Sequence, residues 1–177
     1  RFYMSSMRII VDDDSSKEVF FNIGITLYMA QAYEEHLLGM LLGLYIVNNP
    51  SSWREYYHKE VRRLGALPLG KLLEKARKYQ LFSPEEDSAL RLALKNRNRF
   101  IHGYYFNSFA LLCDSRGHKQ MIEELRELQI SFRKAEGIIL PISHEFMQKT
   151  GMTEQQMSFH ASQAMEAQLR ERLKNEE

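Results

Sequence analysis

The residues best suited to chemistry lie together in the stretch Ala93-Leu94-Lys95-Asn96-Arg97-Asn98-Arg99-Phe100-Ile101-His102-Gly103-Tyr104-Tyr105. Arg97 offers a planar, permanently charged fork of donors suited to gripping anionic oxygens. His102 offers an imidazole, the kind of side chain that exchanges protons near neutral pH. The bare spacing of one Arg and one His carries little. The longer order carries more: Arg-Asn, then apolar Phe100-Ile101, then His-Gly and aromatics, late on a helix with a clear start. Asn98 stands four residues before His102, so a continuous helix places both on one face. Arg97 stands five before it, which turns the two side chains about 140° apart on a straight helix. Three solutions are open: the helix bends near Gly103, the long Arg97 side chain reaches across, or a second subunit completes the site.

This order of residues resembles the HEPN superfamily (higher eukaryotes and prokaryotes nucleotide-binding), whose members commonly carry an Arg, four to six residues, then His, with a polar residue often following the Arg. Arg97, Asn98 and His102 stand in those places. The Leu69-Gly70-Lys71-Leu72-Leu73 and Ser83-Pro84-Glu85-Glu86 layout is also similar to bacterial toxin- and defence-like members. The motif covers about a dozen residues, and the helical order extends the likeness over Phe20 through Leu140. The resemblance implies an all-α, HEPN-like up-and-down helical bundle with a long first helix and additional C-terminal helices. It further implies a homodimer that acts as a metal-independent endoribonuclease without a cofactor, in a toxin, stress or phage-defence setting with an antitoxin or defence partner. His102 is then the general acid or base for attack by the neighbouring 2′-hydroxyl. Arg97 stabilises charge on the phosphate oxygens, and Asn98 orients the phosphate or His102. Tyr104 is given a supporting place, since it or Tyr105 can stack on a base, although core packing is the favoured reading for both; Glu35 is given one as a charged residue of the first helix facing the groove. The alternative is a non-catalytic helical interaction module dimerising through its first helix, or a nucleotide-binding regulatory protein using the same groove.

Other clusters read as structural. Glu34-Glu35-His36 lacks a second His at helical spacing and reads as a polar stripe, not a metal site. Arg62-Arg63, Lys71, Lys75, Arg77 and Lys78 can hold an RNA backbone but read first as a solvated face. Cys113 follows Leu111-Leu112 and reads as a small buried hydrophobe. His144-Glu145 reads as structural. The nine Met suit adaptable packing, including at a subunit interface. No phosphate-cradling glycine loop is present, so nucleoside triphosphate hydrolysis finds no support.

The elements that must position these residues follow from apolar periodicity and caps. A long first helix is expected from about Ser16 to Val47, opened by Ser15-Ser16-Lys17-Glu18 in a capping-box pattern. Its stripe is Ile23, Leu27, Ala30, Leu37, Leu41 and Leu44, widened by Phe20, Tyr28, Tyr33 and Met40. It spans roughly 45 Å at ~1.5 Å per residue. Asn48-Asn49-Pro50 ends it. Ser52-Trp53-Arg54-Glu55 opens a second helix to about Leu64, with Gly65 as its cap. A third runs from Leu67-Pro68-Leu69-Gly70 to about Tyr79. Ser83-Pro84-Glu85-Glu86 starts the fourth, which carries Arg97 to His102, breaks near Gly103 and resumes through Phe106 to Leu112. Asp114-Ser115-Arg116-Gly117 reads as a turn. A fifth helix follows over Lys119 to Lys149, kinked or split at Pro141. A sixth is expected from Thr153 to about Lys174. Met7 to Val11 is the one short extended stretch. The domain reading is a 1–15 N-terminal segment, a 16–150 helical domain and a 151–177 C-terminal helical arm.

Bulk composition limits the alternatives. The chain has 177 residues, 44% of them hydrophobic and 27% charged, with a net charge of +1. It is long enough to bury a core without metal or disulfide staples. Near-zero net charge means that any nucleic-acid contact comes from a local patch. A single cysteine excludes an intramolecular disulfide and a four-cysteine zinc site. The longest apolar region, Val19 to Val47, carries Glu34-Glu35-His36 at its centre, which rejects a membrane span. No secretory signal pattern is visible, and the cytoplasm is the expected compartment.

Overall fold

A computed structural model describes residues 14–113 and 115–151. Over them run five α-helices and one 3-10 segment: α1 (Asp14–Asn48), α2 (Trp53–Gly65), α3 (Leu69–Lys78), α4 (Pro84–Ser108), the 3-10 segment (Phe109–Cys113) and α5 (Ser115–Thr150). Among the described residues there is no strand, so the described part of the chain is all-α, as expected. The expected Met7–Val11 stretch, the helix over 153–174 and most of the 1–15 and 151–177 segments lie outside the described residues. No helix among the described residues is long and apolar enough to cross a membrane.

The described residues divide into two compact units. The first comprises 14–33 and 88–135: the start of α1, most of α4, the 3-10 segment and the first part of α5. The second comprises 34–87 and 136–151.

In the second unit, α1 is apolar nearly all round. Leu37, Met40, Leu41, Leu42, Leu44 and Ile46 are all buried there, with Tyr57 and Leu64 of α2, Leu72, Leu73 and Ala76 of α3, and Ile139 of α5. This is the burial on more than one side that a wide apolar surface demands. In the first unit α1 buries one stripe only: Val19, Asn22, Thr26, Ala30 and Tyr33. Tyr28 therefore does not widen the buried stripe as expected. It is 72% exposed, and Leu27 is also exposed.

The start signals were realised unequally. At α4 the capping box forms in full: Glu86 N–H donates to Ser83 Oγ at 3.2 Å, and Ser83 N–H to Glu86 Oε2 at 2.8 Å. At α2, Ser52 makes no side-chain cap. In α1, described from Asp14 onward, the Ser15 hydroxyl meets His118 Nδ1 at 2.6 Å. The helix also runs unbroken past Gly103, and α5 past Pro141. Pro141 removes the bond to the carbonyl of Gly137. Both residues are exposed, so water can satisfy that carbonyl.

The expected turn at Asp114 to Gly117 is the first turn of α5, with Asp114 outside the described residues. Gly117 is needed there for space: a Cβ would come within 2.7 Å of Leu111 Cα, and closer to its carbonyl oxygen. Backbone cannot retreat as a flexible side chain can. Gly117→Ala is expected to lower unfolding free energy by about 1–3 kcal/mol, read in urea melts. An unchanged midpoint would show that the approach is not tight.

Candidate functional site

Helix α4 positions the candidate residues, and its composition is lopsided. Glu85, Glu86 and Asp87 fill the first turn, where the helix end is positive. From Ser88 through Cys113 there is then no acidic residue, while Arg91, Lys95, Arg97 and Arg99 follow in turn. One face of the helix is buried: Ala89, Ala93, Phe100 and Tyr104. The rings of Phe100 and Tyr104, one turn apart, sit 5.4 Å between centroids.

Three hydrogen bonds fix how α4 is rolled within its unit. Tyr33 of α1 donates its hydroxyl to the Leu90 carbonyl at 2.9 Å. Asn96 Nδ2 donates to Ser131 Oγ of α5 at 3.0 Å. Tyr104 donates its hydroxyl to the Met121 carbonyl at 3.3 Å.

With that face inward, steps of about 100° per residue send His102 to the opposite side. His102 is exposed, and so are Asn98 one turn before it and Arg99 beside it. The structure thus brings Asn98 and His102 onto one face. It does not bring Arg97 there. Arg97 is half-buried on the flank of the inward face, with Nη1 3.4 Å from Asn98 Oδ1. Because α4 is continuous, Arg97 and His102 diverge by about 140°. Of the three solutions to that divergence, a break at Gly103 is removed.

Tyr104 is a core residue, the reading favoured over base stacking for it. Burial, and secondarily Glu124, push its hydroxyl up to about 12, against the opposing pull of Ser108 and Arg99. The exposed aromatics after the motif are Tyr105, 60% exposed, and Phe106, 86% exposed. Phe106 falls in the resumed helical stretch expected through Leu112, and nothing in its residue type distinguishes an outward ring from an inward one. Glu35 is exposed on α1 and belongs to the second unit.

The basic stretch of the second unit is partly spent on its own carboxylates. Arg63 pairs with Glu60, Lys71 with Glu74 at 2.9 Å, and Arg77 with Asp87 at 2.6 Å. His36 lies 3.4 Å from Glu136. Among the described residues no group of three or more His, Cys, Asp or Glu gathers as a metal ion would require. Cys113 is exposed, contrary to the buried reading, because the 3-10 segment turns Leu112 inward instead.

Sequence reasoning passed over His118. It is buried, with Nδ1 2.6 Å from Ser15 Oγ and Nε2 3.0 Å from the Leu112 carbonyl. A carbonyl only accepts, so Nε2 donates to Leu112, and a neutral ring leaves Nδ1 to accept from Ser15. The side chain clamps the starts of α1 and α5 to the 3-10 segment. Its partner in α1 is 103 residues away, a distance no local pattern spans.

Comparison of the chain with protein-family models, curated proteins and solved structures finds no match. The likeness to the HEPN superfamily therefore rests on the sequence pattern alone.

The alkaline behaviour of Tyr104 offers a test of its burial. Its native hydroxyl holds a proton beyond the ordinary tyrosine value of 10.0, so stability is complete below about pH 10 and falls as pH rises toward 12. Replacing Tyr104 with Phe is expected to flatten part of that fall in urea melts across the range. An equally steep fall in the variant would place the ring in water.

Proposed function

We propose that the chain is a HEPN-type, metal-independent endoribonuclease that works as a homodimer, with His102 moving protons and Arg97 reaching the same phosphate from the second copy. The observation carrying this reading is the outward placement of His102, at the middle of a helix face with cations and no acidic residue between Ser88 and Cys113. An RNA phosphate is attracted to such a face. His102 is open to it, and Asn98 lies one turn away on the same side.

With Arg97 and water, these groups suffice for the reaction. The 2′-oxygen attacks the adjacent phosphorus while His102, as base, takes its proton. The bond from phosphorus to the 5′-oxygen breaks, and that oxygen takes up a proton from water. The products are a 2′,3′-cyclic phosphate and a 5′-hydroxyl. Charge building on the non-bridging oxygens is met by the guanidinium of Arg97. A second copy is invoked because a continuous α4 turns Arg97 away from its own His102, and a two-fold axis allows one protomer's Arg to meet the other's His. A cytoplasmic toxin or phage-defence role, restrained by an antitoxin or defence partner, suits an RNA-cleaving protein.

A second reading, a non-catalytic helical interaction module, is favoured by a different observation. Phe21 and Tyr28 stand two turns apart on the outward side of α1 and are 68% and 72% exposed.

The discriminating experiment is cleavage of end-labelled RNA by the purified protein in EDTA. The nuclease reading expects 2′,3′-cyclic phosphate ends, and a loss of about 100-fold or more in His102→Ala and in Arg97→Ala. Cleavage that persists in both variants, or no cleavage of any RNA tried, would favour the interaction module.

A further inference from the structure

We propose that the outward face of α4 is a binding track for single-stranded RNA, in which Lys95 and Arg99 hold the phosphates and Tyr105 and Phe106 stack on unpaired bases. This deepens the RNA reading of the same helix and rests on it for the identity of the polymer. The stacking assignment itself rests on exposure and charge.

Phe106 is 86% exposed. An apolar ring left that open adds almost nothing to the core, and water is its least favourable surrounding. Tyr105 beside it is 60% exposed and is braced edge-on against Phe109, with ring centroids 5.9 Å apart. Bracing lowers the entropy lost when a base settles on the ring. Both rings follow directly on the cationic part of the helix. Lys95, Arg99, His102 and Phe106 succeed one another at spacings of three or four residues, so they form one continuous line on the helix surface. The line covers about 16 Å of helix length, enough for a run of several nucleotides.

Charge complementarity selects the occupant. A helix face with cations and no carboxylate from Ser88 to Cys113 suits a polyanion. Cations leading to exposed rings suit a polyanion whose bases can turn outward, which is a single strand. An A-form duplex keeps its bases paired and stacked inside, so it would use the cations and leave the rings idle.

The test separates binding from cleavage by using a fluorescent single-stranded oligonucleotide with 2′-O-methyl groups, which lacks the attacking hydroxyl. The full chain is titrated with this strand and, separately, with the strand annealed to its complement. The expected result is tighter binding of the single strand. Phe106→Ala should weaken it about tenfold, and Phe106→Trp should restore it. Lys95→Gln and Arg99→Gln should each reduce the slope of log affinity against log salt by about 0.7. Circular dichroism melts of each variant check that the helix is intact. Equal affinity for strand and duplex would overturn the proposal. So would an unchanged affinity in a folded Phe106→Ala, or an effect of that change on self-association alone. Binding without cleavage of ordinary RNA would leave the track standing and remove the nuclease. Cleavage with no dependence on Phe106 would do the reverse.

Discussion

Phe100 and Tyr104 lie one turn apart on α4, both turned into the first unit, and the pitch of the helix does the rest. Once those rings are inward, a step of about 100° per residue leaves His102 no direction but outward. The same pitch holds Arg97 to the edge of the packed face. The divergence of about 140° between Arg97 and His102 is set in the backbone. A single α4 therefore presents the guanidinium and the imidazole far apart, and a second copy of the chain is one way to bring both to one phosphate.

The roll of α4 is over-determined, which makes that constraint firm. Tyr33, Ser131 and Met121 each hold it from α1 or α5 through a hydrogen bond. Elsewhere in the unit Gln129 Nε2 reaches Thr26 Oγ1 at 3.1 Å and Asn22 Oδ1 at 3.3 Å, all three residues being buried. Buried polar groups of this kind add little net stability when paired but are costly to leave unpaired. They therefore penalise a slipped register more than they reward the right one. The outward line of cations and rings is a consequence of how the inward side is locked.

The all-helical architecture was legible because long apolar periodicity and a complete Ser83–Glu86 box are local signals. So was the shared face of Asn98 and His102, which follows from helix pitch alone. What escaped were features decided by distant partners. Ser15 reads locally as part of a cap, and its hydroxyl also meets His118, 103 residues away. Gly117 looked like a turn residue, yet it is small because the Leu111 backbone passes close by. Tyr104 and Phe106 are both aromatics after the motif, and only the packing of α4 decides that the first is core and the second is surface. Cys113 was misjudged in the same way: an apolar neighbourhood in sequence does not survive the change from α to 3-10 winding.

The claim at the centre is that Arg97 and His102 cooperate only between two copies of the chain. The direct measurement is RNA cleavage by a protein co-expressed as a mixture of Arg97→Ala and His102→Ala protomers. In a mixed dimer one seam regains an intact Arg97 facing an intact His102, so the mixture is predicted to recover cleavage that neither variant shows alone. A mixture as inactive as its parts, alongside an active native protein, would contradict the account and place both groups in the same protomer.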